Sequence, residues 1–233
     1  MKQKVIIATP FYSMNAFSPY VTSLVKTVKR LSELGIDWDF YELSGDSYVD
    51  RARNTICNKF LEGDGTDLIF IDSDMAWPSY GIEALLNAPY DVVGGAYPMK
   101  NSWESYPVLI NNKENGTAIV NENGLIGASF VPVGFLKITR KCLERFKVEY
   151  SNLTYENSDS SQSFINNKCQ LFFEAAFRNG QHIGEDVSFC RRWLNIGGEI
   201  WIEPRINLAH IGQKAYIGNY HEFLLSQPQP ESK

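Results

Sequence analysis

Two aspartates one residue apart, Asp72 and Asp74, follow directly on the apolar run Leu68-Ile-Phe-Ile71. Such a run reads as a buried parallel strand, and open α/β sheets bind ligands beyond the carboxyl ends of their strands. Two carboxylates at that position are costly unless a cation compensates them. Strand residues two apart point the same way, so both could approach one divalent ion if the extended geometry persists past Ile71. A hard cation such as Mg²⁺ or Mn²⁺ takes oxygen ligands and bridges substrate phosphates. The plainer alternative is that both aspartates cap a turn, a common role for the residue.

Two further positions could join them. Glu185-Asp186 stands after Gly184 at the start of an amphipathic run, Val187 to Ile196. Carboxylates there cap a helix and complement its dipole, which by itself explains them. His210 is one of three histidines and lies between a proline-bounded strand and Gly212. A lone histidine is usually a hydrogen-bonded structural residue; beside two carboxylates it would complete a mixed nitrogen and oxygen metal site. Arg51, Arg53 and Asn54 fall near the first turn of a helix. The helix dipole favours anions at that end, so arginines there suggest an external anion, or else ion pairs with Asp46 or Asp50.

The elements that must position these groups follow from periodicity. Lys4–Ala8 reads as a first strand, ended by Thr9-Pro10-Phe11. Ser18–Leu34 has helical spacing and Gly35 as its stop. Ile36–Leu43 is a second strand, with a helix after it that Asp50 could cap and that runs to about Leu61. After the Asp72-Ser73-Asp74 strand, Ser79–Leu86 reads as a short helix and Asp91–Gly95 as a strand. Val108–Val120 suggests a hairpin turning at Asn115-Gly116. Leu125–Phe130 and Pro132–Ile138 suggest strands, Arg140–Phe146 a helix, and Glu199–Glu203 a strand. The polar segment 151–167 reads as a flexible surface loop, and 227–233 as a disordered tail. Alternation of strand and helix predicts an α/β domain with a mostly parallel central sheet and helices on both faces. The C-terminal half reads as mixed.

Composition narrows the class. The chain has 233 residues, 44% hydrophobic and 21% charged, with a net charge of −5. That supports one sizeable core and argues against a nucleic-acid or anionic-membrane binder, which would need a basic face. No apolar stretch approaches the length of a membrane span. Four widely spaced cysteines without a CxxC pair read as reduced thiols in a cytoplasmic protein.

Taken in order, Ala8-Thr9-Pro10, Arg51-Ala-Arg53-Asn54, Ile71-Asp72-Ser73-Asp74, Pro132-Val-Gly134-Phe, Gly184-Glu185-Asp186-Val-Ser-Phe and His210 resemble a GT-A-type glycosyltransferase. The resemblance is to family 2-like enzymes and small virus- or phage-encoded members, and it spans roughly Val5 to Gly218. It implies a single Rossmann-like catalytic domain over 1–226, with a nucleotide-binding half (1–100) and an acceptor and catalytic half (101–226). It also implies non-processive hexosyl transfer from a UDP- or GDP-type donor, with Mn²⁺ or Mg²⁺, to a hydroxyl of a glycan, lipid-linked or protein-linked acceptor. A virus- or phage-encoded member would act in the host cytoplasm.

Residue by residue, the resemblance implies metal on Asp74 and His210, with Asp72 bound directly, through water, or to the ribose. Thr9, Pro10, Phe11, Glu42, Arg53 and Ser73 would surround the nucleotide. Asp186 would be the catalytic base of an inverting reaction, with Glu185 beside it. Trp77, Tyr97 and Gly134 would face the sugar or acceptor. Arg191-Arg192-Trp193 only echoes the Gln-x-x-Arg-Trp motif of processive synthases.

Two other readings compete. A haloacid-dehalogenase-like phosphotransferase also uses Asp-x-Asp, but on its first strand and with Thr or Val where this chain has Ala76. A non-catalytic carbohydrate or nucleotide-sugar binder could use the aromatics, 13% of the chain, for stacking. A nucleotidyltransferase would need a glycine-rich basic loop, and Thr9–Asn15 has neither Gly nor Lys.

Overall fold

The computed structural model describes residues 2–156 and 168–227. The chain opens with β1 (Lys4–Phe11), α1 (Ser18–Glu33), β2 (Asp37–Ser44) and α2 (Val49–Glu62), then β3 (Asp67–Ile71), β4 (Met75–Ala76), α3 (Gly81–Asn87) and β5 (Val92–Gly94). It continues with β6 (Leu109–Ile110), β7 (Ile126–Phe130), β8 (Phe135–Thr139), α4 (Arg140–Glu149), β9 (Thr154–Glu156) and β10 (Lys168–Gln170). Last come β11 (Ala176–Arg178), β12 (Gln181–Ile183), α5 (Glu185–Asn195), β13 (Ile200–Ile202), β14 (Ala209–Ile211), β15 (Ala215–Ile217) and α6 (Tyr220–Ser226).

Eight strands form the central sheet in the order β2-β1-β3-β8-β5-β13-β7-β6. The pairings run β2, β1, β3, β5, β13 and β6 in one direction and β8 and β7 in the other. The sheet is thus mostly parallel, as the alternation of elements predicts. Its mixed character comes from β8, a late strand inserted between β3 and β5, and from β7, between β13 and β6.

Period-two alternation divides the core between the two faces. Ile6, Ala8, Leu68 and Phe70 pack on one side with residues of α2, α4 and α5. Val5, Ile7, Ile69 and Ile71 pack on the other with residues of α1 and α3. All five residues of β3 are buried, and after Asp67 its sequence is apolar up to Asp72. On the α1 side, α1 begins with a proline in its first turn, where the missing N–H costs nothing. On the other, Thr139 caps α4 by accepting from the Cys142 N–H at 3.2 Å.

Several boundaries shift. The helix expected to start at an Asp50 cap begins at Val49 after Tyr48, with Asp50 inside its first turn. Asp46, not Asp50, fastens the junction, accepting from the Tyr48 N–H at 2.9 Å and from Arg51 at 2.8 Å. The segment 151–167, expected to be one loop, contains β9 at Thr154–Glu156, paired antiparallel with β10. The rest of that expectation, 157–167, and the tail 228–233 lie outside the described residues. No helix among the described residues is long and apolar enough to cross a membrane.

Candidate active site

The strand geometry stops at Ile71. Asp72 and Asp74 lie on a turn in which the Met75 N–H donates to the Asp72 carbonyl at 3.0 Å. The two side chains therefore diverge and do not share one partner, as the two-residue spacing had suggested they could.

Asp72 faces inward. Arg53, on α2, donates to its two carboxylate oxygens at 3.1 and 3.3 Å and, through its other terminal nitrogen, to Glu185 at the start of α5. The Arg53 side chain is only 5% exposed, against 28% for Asp72 and 18% for Glu185. Burial disfavours the guanidinium charge, but Asp72 and Glu185 more than compensate and raise its pKa. Burial also raises Glu185, against the pull of Arg53. Gly134 makes this packing possible. Its carbonyl accepts from the Asp72 N–H at 3.1 Å, and a Cβ there would lie 2.6 Å from the Tyr97 hydroxyl and 2.8 Å from an Asp72 oxygen. Any side chain would collide with both.

Asp74 faces the other way. One of its oxygens accepts from Lys100 Nζ at 2.6 Å and lies 3.4 Å from His210 Nε2. The small sheet β15-β14-β4 holds this arrangement: His210 pairs with Met75, and the Ile211 N–H donates to the Asp74 carbonyl at 2.7 Å. His210 Nδ1 lies 3.1 Å from the Pro98 carbonyl. A carbonyl only accepts, so Nδ1 carries a proton towards Pro98 and Nε2 is the ring nitrogen that faces Asp74. A backbone carbonyl fixing the distal nitrogen is how metal-binding histidines are commonly oriented. Burial raises the Asp74 carboxyl, but the bonds from His210 and Lys100 outweigh it and hold it below the usual aspartate range.

This donor set suits a divalent cation, with one carboxylate oxygen and one oriented imidazole nitrogen on the same side of the turn. Among the described residues no three His, Cys, Asp or Glu side chains converge as a metal cluster. Among the described residues, Asp74 and His210 are thus the two side chains that could hold a cation here, and such a cation would need further ligands to complete its shell.

Asp186 stands on the first turn of α5 with one oxygen accepting from the Val187 N–H at 2.8 Å. Its carboxyl is raised chiefly by burial, with Arg53 opposing and Asp72 adding a small repulsion. Unlike Glu185, it is not tied to a cation.

A cavity of about 280 Å³ opens beside the turn, lined by Pro10, Phe11 and Tyr12 from the end of β1, by Asp46 and Ser47, and by Asp72, Ser73 and Asp74. Of the residues that the resemblance places around a nucleotide, Pro10, Phe11 and Ser73 line this cavity. Thr9 does not: it is wholly buried and its hydroxyl is 2.6 Å from that of Tyr20. Glu42 is exposed and lines no part of this cavity. Trp77 is a correction of the same kind. It is 5% exposed, its indole N–H donates to Thr27 at 2.8 Å, and its ring packs on Tyr20 and Phe135. Tyr97 and Gly134 are buried and support Asp72 and His210, Tyr97 meeting the His210 ring edge-on at 5.1 Å. A wider groove of about 620 Å³, including Ile110, Val120, Ile126 and Leu224, contains no carboxylate.

Sequence reasoning missed Tyr12, Asp46, Ser47 and Lys100. The first three sit in the loops after β1 and β2, where ligand-facing residues of such sheets are expected. Lys100 follows β5 in the same way, and Pro98 just before it marks the strand exit.

Among solved structures, GalNAc-T7 with UDP, GalNAc and Mn²⁺ superposes with a TM-score of 0.52 at 9% identity, covering 91% of this chain and 44% of its own. The fold is of the GT-A type. This GT-A fold also relates the chain to a mutant of Drosophila β1,4-galactosyltransferase 7 with manganese, UDP-Gal and xylobiose (TM-score 0.48, 14% identity, 99% of this chain and 76% of that one). An inositol-1-phosphate CTP transferase from T. maritima matches at a TM-score of 0.44 and 9% identity, over 90% of this chain and 89% of that one. No protein-family model matches the chain, and no curated protein matches it. The haloacid dehalogenase alternative falls with the GT-A architecture. A fold does not choose an activity, so the chemistry must be argued from the residues.

Proposed function

We propose that the chain is a metal-dependent, inverting glycosyltransferase that moves a hexose from a UDP- or GDP-type donor to a hydroxyl of a sugar-bearing acceptor. The observation that carries this reading is the division of labour at the turn. Asp74 is paired with an oriented histidine, while Asp72 is fixed through Arg53 to the helix that carries Asp186.

In this reading the nucleoside occupies the cavity walled by Pro10, Phe11 and Tyr12, and the diphosphate reaches Asp74. Asp74 and His210 would hold the cation, and the imidazole favours Mn²⁺ over the oxygen-preferring Mg²⁺. A bound cation supplies charge neutralisation for the departing diphosphate. Asp186 removes the proton from the acceptor hydroxyl, the acceptor oxygen forms its bond to the anomeric carbon, and the bond from that carbon to the phosphate oxygen breaks. The nucleoside diphosphate leaves with that electron pair. Burial makes Asp186 a stronger base than a solvent-exposed aspartate. Glu185 is held by Arg53 and serves as a positioning residue.

Two further observations support the finer points. Arg192 and Trp193 are buried, with Arg192 donating to the Leu171 and Phe172 carbonyls and the Trp193 indole to that of Glu199. Two of the three residues that echo a processive motif are therefore part of the core, in keeping with non-processive transfer. The four cysteines are buried thiols that form no disulfide among the described residues, in keeping with a reducing compartment such as the cytoplasm.

The test is a thermal-shift series with UDP-, GDP-, dTDP- and CMP-sugars, with and without Mn²⁺, followed by assay of donor cleavage. One donor should raise the melting temperature only with the metal present, and Asp74→Asn should reduce metal-dependent cleavage about a hundredfold or more. A shift with no cleavage under any acceptor would favour the non-catalytic binder. No shift with any donor would defeat both readings.

A further inference from the structure

Lys100 occupies a specific place. Its Nζ shares one oxygen of Asp74 with His210, at 2.6 and 3.4 Å respectively. Its stem passes over Gly212, where an added Cβ would lie 3.2 Å from Lys100 Cδ. It leaves the same chain segment whose Pro98 carbonyl orients His210. The ammonium therefore stands where a cation shared by Asp74 and His210 would compete with it, since all three groups meet at one carboxylate oxygen. The Lys100 side chain is 34% exposed, so it has a path outward that the buried Arg53 lacks.

We infer that Lys100 is an exchangeable internal cation: it neutralises Asp74 in the empty site, yields the carboxylate when a divalent cation arrives, and then pairs with the diphosphate that accompanies that cation. This rests on the proposed nucleotide-sugar reading for its second half only.

The physical consequence is coupling. Among the described residues, Asp74 and His210 give a divalent cation two protein ligands, and the cation must also displace an ammonium to reach one of them. Alone it binds weakly. With a nucleoside diphosphate present, phosphate oxygens fill the remaining coordination positions and the freed ammonium gains an anionic partner. Metal and nucleotide therefore each raise the other's affinity, by the same factor.

The experiment measures Mn²⁺ binding by electron paramagnetic resonance, with and without UDP and GDP, in the natural protein, Lys100→Met and Asp74→Asn. A melting curve confirms that each variant folds. Without nucleotide, Lys100→Met should bind Mn²⁺ about two- to fivefold more tightly, the range that releasing one partly exposed ion pair allows. With the better nucleotide, the cooperative gain should be smaller in Lys100→Met than in the natural protein. Asp74→Asn should lose the Mn²⁺ site in both states. Mn²⁺ binding to Lys100→Met alone that is unchanged or weaker overturns the exchange. If the metal-only result holds but neither nucleotide binds the natural protein, the exchange stands and the nucleotide-sugar reading fails.

Discussion

The two sides of the Asp72–Asp74 turn carry similar charges in different surroundings. On one side, Arg53 joins Asp72 and Glu185 with its side chain 5% exposed. On the other, Lys100 and His210 meet Asp74 with the lysine 34% exposed. A buried guanidinium between two carboxylates cannot leave without stranding charge, whereas a partly solvated ammonium can. The first arrangement ties α2, the turn and α5 together as a fixed frame. The second is open to exchange. Neighbouring acids in one short motif thus differ in kind, because the element behind each one differs.

The comparison breaks most readily at Arg53. Removing one member of a buried ionic network leaves the others uncompensated, so Arg53→Met should cost about 3–5 kcal/mol of stability, measured by urea unfolding. A loss below 1 kcal/mol would mean that the network is not a frame. Asp186 tests what the frame is for. Asp186→Asn should lower kcat about 10²–10⁴-fold while leaving the donor dissociation constant nearly unchanged. The base works only when ionised, and burial raises its pKa. Activity should therefore be present at high pH and fall as the pH drops through that raised value, above the ordinary aspartate value of about 3.9. The limb should vanish from the residual activity of the asparagine variant. Trp77, just beyond Asp74, separates site from core. Trp77→Phe should cost about 1–3 kcal/mol by leaving the Thr27 hydroxyl without its donor, with the acceptor KM unmoved. The smallest effect belongs to the exchangeable side: Lys100→Met should change stability by about 1 kcal/mol or less. A cost like that of Arg53→Met would erase the distinction.

Local order was readable where one period ruled. The strand at Asp67–Ile71 and the helix at Ser18–Glu33 follow from runs and spacing that have few alternatives. Thr154–Glu156 was not, because its pairing with Lys168–Gln170 overrides a polar composition. The place of Phe135–Thr139 between β3 and β5 is a long-range choice that periodicity does not encode. At the candidate site, residue types singled out the Asp72–Asp74 turn, yet strand periodicity misled as soon as the backbone turned at Asp72. Thr9 and Trp77 looked like ligand-facing groups by type, and each instead spends its polar atom on a buried neighbour. Lys100 carried no motif at all; only the fold brings it to Asp74.

The insertion of β8 also bears on how the chain becomes a protein. Strands β3 and β5 are close in sequence, yet the strand that joins them is made some forty residues later, and β5's other neighbour, β13, later still. During synthesis the first hundred residues hold three unpaired strand edges, one on β3 and two on β5, rather than a finished nucleotide-binding half. The apolar run that ends in Asp72 is among the surfaces left waiting. Cutting the chain after Lys100 should therefore yield an aggregating fragment instead of a small folded domain, and the acidic turn should complete its two sets of partners, with Glu185 and His210, only when the last third of the chain has docked.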